Sequence, residues 1–317
     1  MTAMLRALLL LAFVPPASAQ LPEFYKAVSR VTWVTKDAGR TAATWQKLGL
    51  SGLGPAREIA LPVEFRGKPA EARIRWTSAW FGAVAVDFIE PLEGKNAFAE
   101  FLERNGEGIF ALMHEAPSAE AMDAEIARLR GLGVAVLQSA AAPARHLYFD
   151  TVERGKYALG LVYFPDGAPQ GGGPGRIAQF AFAVRDHRPV SDYWQSLGWP
   201  AMTVTRTGMR EVEYRGKTVR FDLALAWQRH GKAPYEWCIE PEGAGSVYRE
   251  FINRRGEGVQ HLGIVVDDIE RAIAEKGFPV SQAGAWGEPG KKGSGRFAYL
   301  DTEAAGGVTV ELLWSFR

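Results

Sequence analysis

Val63-Glu64-Phe65-Arg66-Gly67-Lys68 recurs as Val212-Glu213-Tyr214-Arg215-Gly216-Lys217, 149 residues further along the chain. Outward from that stretch the echo continues. Trp45-Gln46-Lys47-Leu48-Gly49 returns as Trp194-Gln195-Ser196-Leu197-Gly198 at the same offset. At an offset of 150, Ile89-Glu90-Pro91 returns as Ile239-Glu240-Pro241, and Arg104-Asn105-Gly106-Glu107-Gly108 as Arg254-Arg255-Gly256-Glu257-Gly258. Asp150-Thr151 returns as Asp301-Thr302 at 151. Self-similarity at a fixed period marks a duplicated unit, and a drift of two residues is what small insertions produce. Pro165 to Gly175 is dense in Gly and Pro and reads as a linker. The chain is therefore expected to hold one domain over 26–164 and a second over 176–315, joined by 165–175.

In the second copy, Gln179–Val184 has the pattern of a strand and Pro189–Leu197 that of an amphipathic helix. Glu211–Tyr214 and Thr218–Trp227 read as a hairpin around Arg215-Gly216. Tyr235–Ile239 is a further strand, and 246–254 has helical spacing. Val259–Val266 is a strand, Asp267-Asp268 cap a helix over Ile269–Glu275, and Arg296–Leu300 and Val308–Trp314 close the domain. The expected fold is α+β, with each copy a pair of βαβββ modules.

The 317 residues carry 37 Lys and Arg against 36 Asp and Glu. A net charge of +1 offers no field for a polyanion, so nucleic acid is not an expected partner. The single cysteine, Cys238, excludes an internal disulfide and any cysteine-rich metal site. Met1 to Gln20 places Arg6 before an apolar run from Ala7 to Val14, then Pro15-Pro16 and the small residues Ala17-Ser18-Ala19. That run is too short for a bilayer core of roughly 30 Å. Residues 1–19 read as a secretory signal, and the chain is expected to be periplasmic or secreted, with no membrane partner after cleavage.

Polar residues stand in the second copy where the strand pattern asks for burial: Gln179, Glu236, His261 and Glu311. A carboxylate on an inward face costs several kcal/mol unless it is paired or metal-bound. One imidazole, two carboxylates and an amide oxygen suit one divalent ion such as Zn, Ni, Co or Mn.

Two βαβββ modules with one such residue on the first and last strand of each resemble the vicinal oxygen chelate superfamily, whose tandem domains are of the glyoxalase/bleomycin-resistance/dioxygenase type. Gln179-Phe180-Ala181-Phe182-Ala183-Val184-Arg185-Asp186 is similar to the first strand of glyoxalase I. Gly258-Val259-Gln260-His261-Leu262-Gly263-Ile264 and Gly307-Val308-Thr309-Val310-Glu311-Leu312 are similar to the family's fifth and last strands. The stretch from Ile239-Glu240-Pro241 to Arg255-Gly256-Glu257-Gly258 is closer to methylmalonyl-CoA epimerase. The resemblance implies Gln179, Glu236, His261 and Glu311 as metal ligands, with Glu311 and Glu236 as the carboxylates that serve as catalytic base.

Glu236 pairs with Asp87 by the 149 offset, yet it sits five residues before Pro241 where Asp87 sits four before Pro91. One extra residue within the strand would swap its faces and put Trp237 inward, and a bulge after Glu236 would keep its direction. In the first copy the matching positions are Arg30, Asp87, Ala111 and Gly160, of which only Asp87 is a metal-ligating type. The first domain then reads as a packing partner or a cap. Glu213 and the Arg254-Arg255 pair read as surface charges and Cys238 as a small buried hydrophobe. Trp227, Trp237, Trp286 and Trp314 fit the cleft or the core equally, and His114, His146, His187 and His230 read as surface or turn residues.

The resemblance implies an isomerase, epimerase or lyase that acts on a small hydroxy-carbonyl substrate through a stabilised enolate. Gln179 stands where the extradiol dioxygenases of the superfamily carry a histidine, which disfavours oxygenation. The alternative is a protein that sequesters a small molecule without turning it over, and a third reading gives the metal a role in folding only. The sequence leaves the oligomeric state open, since tandem domains can form a pseudo-dimer within one chain.

Overall fold

The structure is a computed structural model that describes residues 21–220, 222–241, 243 and 245–316. The expected signal lies outside the described residues. After a 3-10 turn at Glu23–Lys26, the first domain runs β1 (Arg30–Val34), α1 (Ala38–Gln46), β2 (Arg57–Phe65), β3 (Lys68–Phe81), β4 (Val84–Glu93), α2 (Ala97–Asn105), β5 (Gly108–Glu115), α3 (Ala119–Gly131), β6 (Val136–Ala140), β7 (Arg145–Phe149), α4 (Val152–Gly155) and β8 (Ala158–Tyr163). The second runs β9 (Ile177–Val184), α5 (His187–Ser196), β10 (Thr203–Tyr214), β11 (Lys217–Thr218), β12 (Asp222–Gln228), β13 (Tyr235–Ile239), α6 (Val247–Arg255), β14 (Gly258–Val265), α7 (Ile269–Lys276), β15 (Val280–Trp286), β16 (Gly295–Leu300) and β17 (Thr309–Ser315).

Local chemistry sets the helix starts. Asp37, Asn96, Ser118, Asp186, Ser246 and Asp268 each accept a backbone N–H of the first turn, satisfying a donor that has no partner within the helix. Of the Asp267-Asp268 pair it is Asp268 that caps α7. Three elements depart from the expectation. The strand expected over Thr218–Trp227 is two, β11 against the end of β10 and β12 against its start. β10 begins at Thr203, well before Glu211, and Val280–Trp286 is a strand that the sequence pattern does not reveal. β15 carries Gly284 and small residues rather than a β-branched run, and it is held by pairing with both β10 and β16.

In the first domain the strands close in the order β1-β4-β3-β2-β6-β7-β8-β5. The second has the order β11-β10-β12-β13-β9-β14-β17-β16-β15, and the further pairing of β10 with β15 brings its ends together. Each domain is thus two βαβββ modules in a mixed α+β barrel. The modules meet where β1 runs antiparallel to β5, and again where β9 runs antiparallel to β14.

The largest apolar core belongs to both domains. Trp33, Trp45 and Phe88 of the first join Phe182, Trp194 and Trp237 of the second, all at 0 % exposure. Each such ring removes roughly 150–250 Å² from water, so separating the domains would expose a large aromatic surface. Two indoles cross the interface in matching positions: Trp45 Nε1 donates to the Ala305 carbonyl at 2.8 Å and Trp194 Nε1 to the Gly155 carbonyl at 3.2 Å. Arg255, expected as a surface charge, instead reaches from the end of α6 to the Glu107 carbonyl of the first domain at 2.7 Å. Gly307 is required at this seam, because a Cβ there would lie 1.8 Å from that same carbonyl oxygen.

Candidate metal centre

The four polar residues singled out in the second copy lie on four adjacent strands, β13, β9, β14 and β17. Register places them in two rows on one face. Gln179 lies opposite Gly263, which lies opposite Glu311; one step along, Glu236 lies opposite Ala181, which lies opposite His261. Polar side chains thus flank a glycine in one row and an alanine in the other, leaving room above the sheet. Gly263 is needed for this: a Cβ on it would stand 2.4 Å from Gln179 Cγ.

β13 pairs with β9 and β12 without a register shift from Tyr235 to Ile239, so the extra residue before Pro241 falls beyond the paired segment. Glu236 therefore faces the site. Trp237 turns to the other face and stacks on Phe182, with ring centroids 3.9 Å apart.

The side chains converge. His261 Nε2 is 3.2 Å from Glu311 Oε2 and 3.3 Å from Glu236 Oε2. Gln179 Nε2 donates to the same two oxygens at 2.9 and 2.7 Å. All four residues are buried, His261 completely. The other imidazole nitrogen, Nδ1, lies 2.5 Å from Gln260 Oε1, a contact that orients the ring with Nε2 toward the two carboxylates. Gln260 was not foreseen, although a carbonyl-type partner on the far nitrogen is the usual support of a ligating histidine. Nε2 is left with no hydrogen bond of good geometry.

Two carboxylates sharing a buried site with one imidazole need positive charge. Burial, together with the neighbouring Glu311 charge, raises the Glu236 pKa. Burial opposes protonation of His261, but the two carboxylates outweigh it and hold its pKa at about 9. A divalent cation supplies the missing charge more completely than one proton. The residues fit such an ion: an imidazole nitrogen that gives up its proton when the ion binds, two carboxylate oxygens and, on rotation of its terminal amide, the oxygen of Gln179, whose N and O positions are interchangeable. Cys238, expected as a mere hydrophobe, joins the cluster. One atom each of Glu236, Cys238 and His261 lie within 4.8 Å of one another, because residues two apart on β13 share a face. Burial pushes its thiol pKa well up, so Cys238 is a protonated neighbour unless a cation draws the proton off.

Gln179, Glu236 and Glu311 stand at the floor of a cavity of about 320 Å³ walled by Leu225, Trp227, Trp286, Phe297 and Tyr299. Trp227 and Trp286 thus line the cleft, whereas Trp237 and Trp314 pack in or against the shared core. Among the described residues every one that lines this cavity belongs to the second domain, so the first packs beside the site and does not cover it. Glu213 is exposed, as a hairpin charge should be, but His114 is fully buried in β5 rather than at the surface.

The family profile of the glyoxalase/bleomycin resistance protein/dioxygenase superfamily matches residues 29–149 and again 178–299. The chain belongs to that superfamily. Its two vicinal-oxygen-chelate domains are the two barrels described above. Among solved structures, a mutant 4-hydroxymandelate synthase from Streptomyces coelicolor is similar over 92 % of both chains, with 14 % identity and a TM-score of 0.62. A xylose isomerase-like TIM barrel/4-hydroxyphenylpyruvate dioxygenase fusion protein is similar over 96 % of this chain and 50 % of its own, with 14 % identity and a TM-score of 0.54. At that identity the likeness is one of fold, and it extends to the tandem arrangement. A search of the curated proteins finds no match.

In the first vicinal-oxygen-chelate domain the corresponding face holds no such set. Arg30 Nη1 donates to both oxygens of Asp87 at 2.7 Å, Ala111 stands where His261 would, and Met113 fills the space beside Gly160.

Proposed function

We propose that the second domain holds one divalent ion, Zn, Ni, Co or Mn, on Gln179, Glu236, His261 and Glu311, and that the protein is an exported isomerase, epimerase or lyase of a small hydroxy-carbonyl compound. The observation that carries this reading is the convergence of His261 Nε2 with two carboxylate oxygens at the floor of a cavity walled by aromatic and aliphatic side chains. When bound, such an ion supplies Lewis acidity, lowering the cost of negative charge on a substrate carbonyl oxygen as an adjacent carbon loses its proton.

The protein's own residues supply the rest. Glu311 or Glu236, both open to the cavity, takes the proton from the carbon and returns it to the same carbon or its neighbour. In the ion-free protein Gln179 bridges both carboxylates through its amide nitrogen and holds them side by side. The aromatic and aliphatic walls lower the polarity around the carboxylates and so strengthen each electrostatic contact. The non-haem iron oxygenase triad uses two histidines and one carboxylate, and this cluster has a single histidine, which favours carbon-acid chemistry over oxygenation.

The test is the metal content of the mature protein, Gln20 to Arg317, beside His261→Ala/Glu311→Ala, followed by NMR of candidate hydroxy-ketones in D2O. About one divalent ion per chain, absent from the double variant, with deuterium entering the α-carbon only in the loaded protein, is the expected result. No ion after reloading moves the reading to a binding protein, and an ion without exchange leaves it a structural metal. Recovery in the periplasmic or secreted fraction tests the export.

A further inference from the structure

The first domain has a cavity of its own, about 340 Å³, at the same place in its barrel. That volume is at the lower end of the range for small-molecule sites, roughly 300–1,000 Å³. The walls are apolar, with Ile59, Leu61 and Ile74 from β2 and β3, and the aromatic rings of Trp76, Phe98 and Phe164. The mouth is bordered by the linker at Pro165, Asp166, Gly167 and Pro169.

The polar end of this cavity is specific in what it leaves available. Arg30 and Asp87 cancel each other's charge. Asp87 is also spoken for by Trp76 Nε1, which donates to Oδ1 at 3.0 Å. Every hydrogen bond that Arg30 makes among the described residues leaves from Nη1, so Nε and Nη2 keep donors for an added acceptor. The Arg30 guanidinium also lies 5.6 Å from the centroid of Phe164. His146 Nδ1 is 3.0 Å from the Ala144 carbonyl and must donate to it, which leaves Nε2 as an acceptor on a ring that lines the cavity.

We propose that the first domain is a binding site for an uncharged, flat aromatic molecule bearing a hydroxyl or carbonyl oxygen. Its oxygen accepts from Arg30, its hydroxyl donates to His146, and its ring lies among the aromatic walls. An aliphatic molecule would forgo the ring contacts. A carboxylate would place a second negative charge beside the buried Asp87. The loss of ligating residues at Arg30, Ala111 and Gly160 thus exchanges a metal centre for a neutral-ligand pocket, and the site stands whether or not the second domain binds metal.

The probe is 2-naphthol, titrated calorimetrically into the mature protein beside 2-naphthoate and 1-decanol. One 2-naphthol per chain is expected, with a Kd of about 1 mM or tighter, and at least tenfold weaker binding of both comparison compounds. Ile59→Trp, which fills the cavity from a partly buried position, should weaken 2-naphthol at least tenfold, and His261→Ala/Glu311→Ala should leave it unchanged. Phe164→Ala, at a half-buried position, should weaken it several-fold and serves if Ile59→Trp does not fold. The proposal is overturned by no 2-naphthol binding, by equal binding of 2-naphthoate or 1-decanol, by indifference to the Phe164 change, or by loss of binding in the His261/Glu311 variant.

Discussion

Arg30 and Gln179 occupy the same place in the two barrels, and each binds the carboxylate that faces it from the neighbouring parallel strand, Asp87 in one and Glu236 in the other. In the first domain the cation is part of the chain. In the second, the amide brings no charge, and two carboxylates and an imidazole are left to share a buried site. The duplicated fold has thus solved one electrostatic problem in two ways.

That relationship makes the Arg30–Asp87 pair a structural unit. Removing only the arginine strands a carboxylate of 8 % exposure, and breaking a buried pair in this way costs about 3–5 kcal/mol. Arg30→Met should therefore lower the stability of the protein by about 3 kcal/mol. Arg30→Met/Asp87→Asn, which removes both charges and keeps an acceptor for Trp76, should regain most of it. Thermal melting of the wild type and the two variants at one pH checks this; a double variant no better than the single one contradicts it.

Gly263 is the least conspicuous member of the second site and one of its tightest. Its Cα faces the Gln179 side chain, and a methyl group there cannot avoid Cγ, which is anchored to the strand and cannot simply swing away. Gly263→Ala should push Gln179 off the two carboxylates and weaken metal binding at least tenfold, with the fold preserved. Competitive titration against a chromophoric chelator, paired with circular dichroism, measures both. Unchanged affinity would mean that the amide has no part in holding the ion.

The repeat and the burial of Gln179, Glu236, His261 and Glu311 are legible in the sequence, because each is a matter of strand periodicity and of polar residues standing where apolar ones are expected; that their strands lie side by side follows from the family resemblance and not from periodicity. The direction of Glu236 is not, since it depends on whether an added residue falls inside a paired segment or beyond its end. Cys238 escapes for a related reason: its place beside Glu236 follows from that register. Gln260 is adjacent in sequence to His261, and only the turn of its side chain back to Nδ1 makes it a support. β15 is hidden because its pairing partners, β10 and β16, and not its composition, make it a strand. The burial of His114 and the reach of Arg255 depend on how the two barrels dock, which no periodicity within one copy encodes.

Stripping the metal should expose the charge problem as a pH dependence. In the ion-free protein His261 has a folded pKa of about 9, above its unfolded value, so its contribution is complete below about 6.5 and is lost as pH rises toward 9. The raised pKa of Glu236 acts in the same direction, since its neutral form is the one favoured in the fold. The melting temperature of the apoprotein should fall between pH 6.5 and 9. The loaded protein should not show this fall, because an ion requires His261 to be unprotonated and binds more tightly as protons leave. At a free metal concentration of 100 times Kd the ion should add about 2.7 kcal/mol. Melting curves at several pH values, with and without chelator, separate the two forms; parallel curves would argue against an ion at His261.

At the domain interface the dependence should run the other way. His114 is fully buried beside Tyr25, their ring centroids 4.8 Å apart, and His230 lies 4.7 Å from Tyr235. Burial lowers both pKa values, to about 3 and about 4, with the Ala27 carbonyl partly opposing it at His114. Folded values below the unfolded 6.5 mean that the contribution is present above that pH and is lost as pH falls toward 4 and below. Charging either ring would place a cation among the Tyr25, Trp199 and Tyr235 rings, where the neighbouring Glu125 is already held by Arg128 and by the Tyr25 hydroxyl. Stability of the ion-free protein should therefore decline between pH 6.5 and 4. His114→Phe/His230→Phe should flatten that decline even if it lowers the plateau, since it removes the protons and leaves the aromatic packing. Urea midpoints across this range test the slope, and an equal slope in the double variant would assign the acid sensitivity to other groups.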